Sequence, residues 1–303
     1  MRAGWGRPSG LLGRAWGSPL GLRARTWGSP LGLRARGAEA LPHVRHRVVL
    51  AIFGVAWAAS LVLSNAEAQQ VPQPDAHFAG LRWTFVRVRY STGALTPYYR
   101  AEWGQPWAID APAAEQNLSR RIKTVTAIEV GDPIVLRLED PRLWEYPWIY
   151  IVEPGNLRLT DAEVPILREF LLRGGTLTFD DFHGPYEWEN LAAELGRVFP
   201  DRPIVDLPST HPIFTCFYRI DRYPQVAGLG SFLMGRTWEK GGFVARLRAV
   251  LDDQQRPMVL INWNTDMGDG WEWSNAEDYP GYIEHTANAY RMFINEVIYA
   301  LTH

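Results

Sequence analysis

The chain has 303 residues, with 31 Lys and Arg against 33 Asp and Glu, and a formal net charge of −2. Residues 1–68 hold nine Arg, no Lys and two Glu, so the remainder carries 22 basic and 31 acidic residues and a net charge near −9. Such an acidic surface disfavours nucleic acid and anionic membranes as partners. The single cysteine, Cys216, excludes an intrachain disulfide and any CxxC metal or redox motif.

The first 68 residues differ in composition from the rest. Residues 1–43 are rich in Gly, Arg and Pro and contain one ten-residue sequence twice, at 16–25 and 27–36. Two copies are too few for a stacked repeat, and the composition offers no buried face, so this segment is expected to be disordered. Because a signal does not normally begin so far into a chain, we expect the true start near Val44 and translated upstream sequence before it.

Residues 44–68 resemble a secretory signal. A short basic stretch precedes the uncharged run 48–63, and Ala66 and Ala68 stand where signal peptidase requires small residues. The run is shorter than the roughly 20 residues that span a bilayer, although an uncleaved anchor is the alternative. The sequence therefore predicts a secreted, periplasmic protein that contacts a membrane only through this segment, with its folded domain at 78–303.

From residue 81 onward, apolar periodicity predicts alternating strands and helices. Residues 148–152 form an unbroken apolar run, which is typical of a strand covered on both faces in a parallel sheet. A capping box at 160–163 begins a helix that ends at Gly174 and Gly175, and a second apolar strand follows. Further strands are predicted at 81–90, 125–138, 245–251 and 258–262, helices at 113–123, 187–199 and 286–301, and irregular segments at 200–223 and 264–272. This order predicts an α/β fold with a mostly parallel sheet and helices on both faces.

Two carboxylates and an imidazole end the strand that follows Gly175. Ligands of open α/β sheets bind outside the carboxyl ends of the strands, so Asp180, Asp181 and His183 are the catalytic candidates. Adjacent carboxylates indicate either a divalent cation held by oxygens or an acid/base pair. The structural alternative is that one aspartate caps the next helix and the other accepts backbone amides in the turn.

A second acidic segment follows the last predicted strand. Asp266, Asp269 and Glu272, with Trp271 among them, are predicted to bind ligand. Their spacing is only loosely similar to that of a calcium loop, because the full EF-hand pattern is absent. A polar turn is the alternative, and the identity of any metal stays open.

The remaining candidates are a histidine and the aromatic residues. His211 precedes a proline, and such a turn can point an imidazole into a cleft, although a lone histidine is more often structural. The chain has 14 Trp, many of them outside the predicted elements. Aromatic side chains in loops either stack on sugar rings or cover the edge of a sheet. We expect His211 to join the acidic segments in one cleft.

Many short motifs in a fixed order suggest a family. They lie at 85–90, 146–150, 153–155, 167–175, 180–184, 198–200, 211–214, 264–272 and 298–303. Together they resemble the bacterial DUF4159 family. The resemblance implies a flavodoxin-like fold similar to the class I glutamine amidotransferase superfamily, and the order of motifs also resembles its ThuA-like branch, which is linked to sugar metabolism.

The resemblance does not extend to an amidotransferase active site. Amidotransferases place a nucleophilic cysteine at a strand-to-helix elbow, where this chain has Asp180, Asp181 and His183. The sequence thus leaves open whether the protein is an enzyme. The first expectation is a cell-envelope binding or accessory protein for a polar or carbohydrate-like ligand. The alternative is a hydrolase that uses Asp180 or Asp181 with His183 or His211, assisted by a divalent cation if one binds.

Overall fold

The computed structural model describes residues 78–275 and 277–303. The segments 1–43 and 44–68, with their predicted disorder and signal, lie outside the described residues. Among the residues described, no helix combines the length and apolar character needed to cross a membrane.

A seven-stranded sheet organises the domain, and five neighbouring strands of it are parallel. The strands are β1 (Arg82–Trp83), β2 (Val86–Val88), β3 (Glu129–Val130), β4 (Ile134–Leu136), β5 (Trp148–Val152), β6 (Thr176–Phe182), β7 (Ile204–Asp206), β8 (Arg246–Leu251) and β9 (Pro257–Trp263). The spatial order is β4-β2-β5-β6-β9-β8-β7, with β8 and β7 antiparallel, while β1 and β3 form a separate parallel pair. If the five parallel strands are renumbered 1 to 5 along the chain, their spatial order across the sheet is 2-1-3-4-5, which is the flavodoxin-like order.

Helices cover both faces of the sheet. They are α1 (Ala113–Val125), α2 (Glu163–Leu172), α3 (Gly184–Val198), α4 (Leu229–Leu233), α5 (Met267–Glu272) and α6 (Ile283–Thr302). Side chains of α1, α5 and α6 share one buried cluster with the sheet, and those of α2 and α3 share the other. The predicted α/β fold is therefore confirmed.

Strand β5 shows how the sequence produces two cores. Trp148, Tyr150 and Val152 belong to the cluster that contains α6, and the residues between them, Ile149 and Ile151, belong to the opposite cluster. Successive strand residues point to opposite faces, so an unbroken apolar run is buried on both. Each large apolar side chain buried in this way contributes about 1.5–3 kcal/mol.

The sequence signals predicted for the two ends of α2 are confirmed. The Glu163 amide donates to Thr160 Oγ1 at 3.2 Å, and the Thr160 amide donates to Glu163 Oε2 at 2.8 Å. Gly174 has a φ of 104°, the left-handed conformation that ends helices and suits glycine. Local sequence thus fixes both ends of α2.

Several segments differ from the prediction. The strand predicted at 81–90 is divided into β1 and β2, which lie in different sheets. The irregular segment 200–223 contains β7, which pairs antiparallel with β8 at the edge of the sheet. The expected loop 264–272 contains the short helix α5, and α3 begins three residues earlier than expected, at Gly184. Two features favour this earlier start of α3. Pro185 stands in the first turn, where proline is tolerated, and Glu187 Oε2 accepts the His183 amide at 2.7 Å.

One buried carboxyl group lies between β9 and α6. Asn262 Nδ2 donates to Glu296 Oε2 at 3.2 Å, and Asn262 Oδ1 accepts from the Tyr223 hydroxyl. Glu296 has no exposed surface, and this burial raises its pKa well above the usual value. The group therefore favours the neutral form in the folded protein.

We predict that Glu296→Gln makes stability less sensitive to pH. Above the ordinary pKa of glutamate, folding of the wild type must take up a proton that the unfolded chain has lost, so stability falls as pH rises. Thermal unfolding at pH 8 should show a midpoint about 3 °C or more above that of the wild type, with little difference at pH 5. The exposed Glu284→Gln on the same helix is the control, and an equal gain at both pH values would contradict the prediction.

Candidate functional site

Five carboxylates meet at the carboxyl edge of the parallel sheet. Oxygens of Asp110, Asp181 and Asp266 lie within 4.8 Å of one another, and so do oxygens of Asp110, Asp269 and Glu272. We call these five residues the acidic cluster. The carboxyl end of β6 and the segment after β9 therefore converge, as the sequence predicted.

Asp110 enters the cluster because Arg87 fixes the loop that carries it. Arg87 is buried on β2 and binds both oxygens of Glu115 on α1, at 3.2 and 2.7 Å. Its Nη1 also donates to the backbone carbonyls of Trp107 and Ile109, at 3.3 and 3.0 Å. Asp110 follows with a φ of 64°, so the held loop turns sharply there.

Asp180 and Asp181 have different surroundings although they are adjacent. Asp180 has no exposed surface and accepts hydrogen bonds from the Tyr150 hydroxyl at 3.0 Å and the Gly268 amide at 2.9 Å. The Met267 amide adds a third hydrogen bond at 3.3 Å. Burial, followed by the charge of Asp181, raises the pKa of Asp180 to about 8. Asp180 thus anchors the start of α5.

Asp181 reaches the cluster through a strand irregularity. Its φ is 54°, and the pairing of β6 with β9 shifts register between Phe179 and Phe182. A bulge of this kind re-aims a side chain that regular alternation would send to the opposite face. Asp181 therefore points into the acidic cluster, whereas the carboxylate of Asp180 is held by Tyr150 and the first amides of α5.

Helix α5 presents the other acidic residues. Asp266 Oδ1 accepts the Asp269 amide at 2.7 Å and so caps the helix. Asp269 accepts from the Leu229 amide at 2.6 Å and from Trp273 Nε1 at 3.0 Å. Each of these carboxylate oxygens keeps a further lone pair for another partner.

The cluster is electrostatically unfavourable in its ionised form. Burial is the main cause that raises the pKa of each member, well above normal for Asp110 and Asp266, to about 6 for Asp269 and to about 7 for Glu272. The charges of neighbouring members raise most of these pKa values further. Protons or a bound cation would relieve this repulsion.

His183 lies beside the cluster as a neutral imidazole. Only 1% of it is exposed, and burial lowers its pKa to about 4. Nε2 lies 3.4 Å from Asp181 Oδ1 without the alignment of a hydrogen bond, and neither ring nitrogen finds a partner among residues 78–275 and 277–303. The Tyr99 hydroxyl, in a side chain that is 7% exposed, likewise has no partner in the described part of the chain.

A buried ion pair borders His183 on the other side. Lys240 Nζ lies 2.8 Å from Glu187 Oε1 and 3.7 Å from Glu153 Oε1. Although burial alone would lower the pKa of Lys240, the two glutamates raise it above its ordinary value. Lys240 is therefore charged and already engaged, as Arg87 is with Glu115.

The family was tested by comparison with known proteins. A family model described as a domain of unknown function, DUF4159, matches residues 84–301. The chain belongs to the DUF4159 family. No curated protein matches the sequence. The DUF4159 match contains all strands of the seven-stranded sheet and all members of the acidic cluster.

Two residues expected at the DUF4159 cleft lie elsewhere. The cluster is near the N-terminal part of α6, where Ala289 packs closely on Gly270 of α5. His211 instead packs against Tyr299, with 5.1 Å between ring centroids, and ten residues of helix separate these contacts by about 15 Å. Trp271 is fully buried and packs on Phe293 at 4.4 Å, so it belongs to the core.

The DUF4159 site also contains residues that the sequence did not predict. Asp110 and Tyr99 come from the long aromatic loop after β2, and Lys240 comes from the segment between α4 and β8. The position of the loop at a strand end was a usable signal for Asp110. No periodic pattern marks Lys240, because its place depends on the folded path of an irregular segment.

We predict opposite effects for substitutions of the two adjacent aspartates. Asp180→Ala leaves two amides and the Tyr150 hydroxyl without their acceptor, which should cost about 2–4 kcal/mol of unfolding free energy. Asp181→Asn removes one charge from the cluster and should leave the cation-free protein as stable as the wild type or more stable. Urea unfolding with a chelator present measures both, and equal destabilisation by the two variants would contradict the assignment.

Proposed function

We propose that this protein binds a divalent cation in the acidic cluster and, through it, a polar or carbohydrate-like ligand. The observation that supports this proposal is the approach of Asp110, Asp181 and Asp266 to within 4.8 Å of one another at the edge where α/β proteins bind ligands. Three carboxylates at this spacing can place oxygens around one hard cation such as Ca²⁺, Mg²⁺ or Mn²⁺.

The protein's own cations compensate the charge of this site only in part: Lys240 partly offsets the raised pKa of Asp181, and Arg87 partly offsets those of Asp110 and Glu272. Arg87 is paired with Glu115 and Lys240 with Glu187, both through short contacts. His183 is neutral, so it adds no positive charge. A cation from solution would supply that charge and give the unpartnered His183 imidazole a neighbouring ligand or water.

Exposed aromatic side chains support a carbohydrate-like ligand. Trp273 is 37% exposed and donates to Asp269, and Trp103 is 49% exposed in the loop that supplies Asp110. Tyr98 and Tyr186 are about half-exposed and contact each other edge to face. Tyr186 follows His183 by three residues in the sequence. Aromatic faces of this kind pack against sugar rings. Together with the signal predicted at 44–68, this favours a binding or accessory role in the cell envelope.

A hydrolase is the second candidate, favoured by His183. The His183 imidazole, 3.4 Å from Asp181, would be the group to accept a proton from a water held by the cation, although its pKa of about 4 makes it a weak base. Asp180 is less suited than Asp181, because the carboxylate of Asp180 is buried and holds α5. His211 packs against Tyr299, about 15 Å along α6 from the part of that helix near the cluster, and is too far away to assist.

Cation binding is the first test of the proposal. We predict that Mn²⁺, Mg²⁺ or Ca²⁺ raises the unfolding midpoint of chelator-treated protein by about 3 °C or more at a hundredfold excess over Kd. Asp181→Asn should weaken binding at least tenfold in calorimetric titration, while the exposed control Asp221→Asn should not change it. If none of the three cations stabilises the wild type, the proposal is wrong.

Ligand binding and turnover separate the two candidates. For a binding protein, soluble N-acetylhexosamine and glucose oligosaccharides should bind only with cation present, and Trp273→Ala should weaken that binding. For a hydrolase, nitrophenyl glycosides, esters or phosphates should be cleaved, and His183→Asn should lower kcat at least a hundredfold without changing cation affinity. Cleavage that is unaffected by His183→Asn would exclude the proposed base.

A further inference from the structure

We propose that the acidic cluster holds two divalent cations side by side, bridged by Asp110. This deepens the proposed function, which requires one cation, and rests on it. Asp110 belongs to both sets of converging carboxylates, one with Asp181 and Asp266 and the other with Asp269 and Glu272. A carboxylate shared by two sets of ligands is the usual bridge in two-metal sites, where the ions lie about 3.5–4 Å apart.

The charge of the cluster favours two dications over one. Five carboxylates carry five negative charges when ionised, so one dication leaves three of them uncompensated and two leave one. Arg87 and Lys240 are already paired with glutamates outside the cluster. Two hard cations would therefore bring the site close to neutrality with ligands of the type they prefer.

Unpartnered groups within the site indicate that it is built for a ligand. Asp110 Oδ2 is shielded from solvent, and none of the described residues hydrogen-bonds to it. His183 is 1% exposed with Nε2 3.4 Å from Asp181 Oδ1, and neither of its ring nitrogens has a hydrogen-bond partner in the part of the chain described. Buried polar groups without partners are rare in native structures and call for an unseen ion or water.

Two glycines leave room for the carboxylates. A Cβ at Gly268 would lie 2.2 Å from Asp110 Oδ2, and one at Gly228 would lie 2.5 Å from Glu239 Oε1, 2.9 Å from Asp266 Oδ2 and 3.4 Å from Asp269 Oδ2. Any side chain at these positions would push the carboxylate oxygens away. The backbone at these two glycines therefore borders the cluster closely.

The test uses the full chain, freed of metal with a chelator and titrated with Mn²⁺. Calorimetry should give two Mn²⁺ per chain for the wild type, and electron paramagnetic resonance should show the broadened signal of two coupled ions. Glu272→Gln should leave one Mn²⁺ bound with an uncoupled six-line signal, or weaken the second ion at least tenfold. Asp110→Asn should weaken both ions, because it removes the bridge.

Glu277→Gln is the matched control, since Glu277 is exposed and lies five residues from Glu272. It should keep two coupled ions. Saturation of the wild type at one uncoupled Mn²⁺ would overturn the two-cation site and leave the proposed function standing. Absence of Mn²⁺ binding would overturn both, and a second ion that Glu272→Gln does not affect would overturn this placement.

Discussion

Repulsion among buried carboxylates is the constraint that the site has to withstand. Oxygens that lie within 4.8 Å of one another are positioned by contacts with other residues of the chain. Arg87 fixes the loop before Asp110 from below the sheet edge, and Asp180 fixes the amides at the start of α5. Because both anchors are buried in the core, folding energy is what brings the charges together. Positive charge placed among these carboxylates would relieve that repulsion.

The part of this site that the sequence could predict follows from sheet geometry. Asp181 and Asp266 come after strands that the apolar pattern identified, and the carboxyl ends of parallel strands meet at one edge. Their convergence needed no knowledge of side-chain packing. The same reasoning predicted both cores, since β5 is apolar at every position and must be covered on both faces.

The remaining features depend on tertiary contacts that leave no pattern in the sequence. Helix α5 is six residues long with two glycines, and it forms because Asp180 and Asp266 accept its first amides. The path of the loop to Asp110 is set by Arg87, whose partners within that loop are backbone carbonyls. His211 was expected at the cleft because its turn resembles one that presents an imidazole, whereas packing on Tyr299 determines where it lies.

Gly184, which follows His183, packs against the backbone of the segment between β7 and β8. Its φ is 71°, and a Cβ there would lie 1.9 Å from the Lys240 carbonyl oxygen. Because Gly184 has no side chain, the backbone of the segment between β7 and β8 can pack directly against it. The His183–Gly184 pair therefore marks a packing contact between two segments of the chain, in addition to the role proposed for His183. Shortening the segment between β7 and β8 would remove the steric need for glycine at this position, and only its left-handed φ would still favour one.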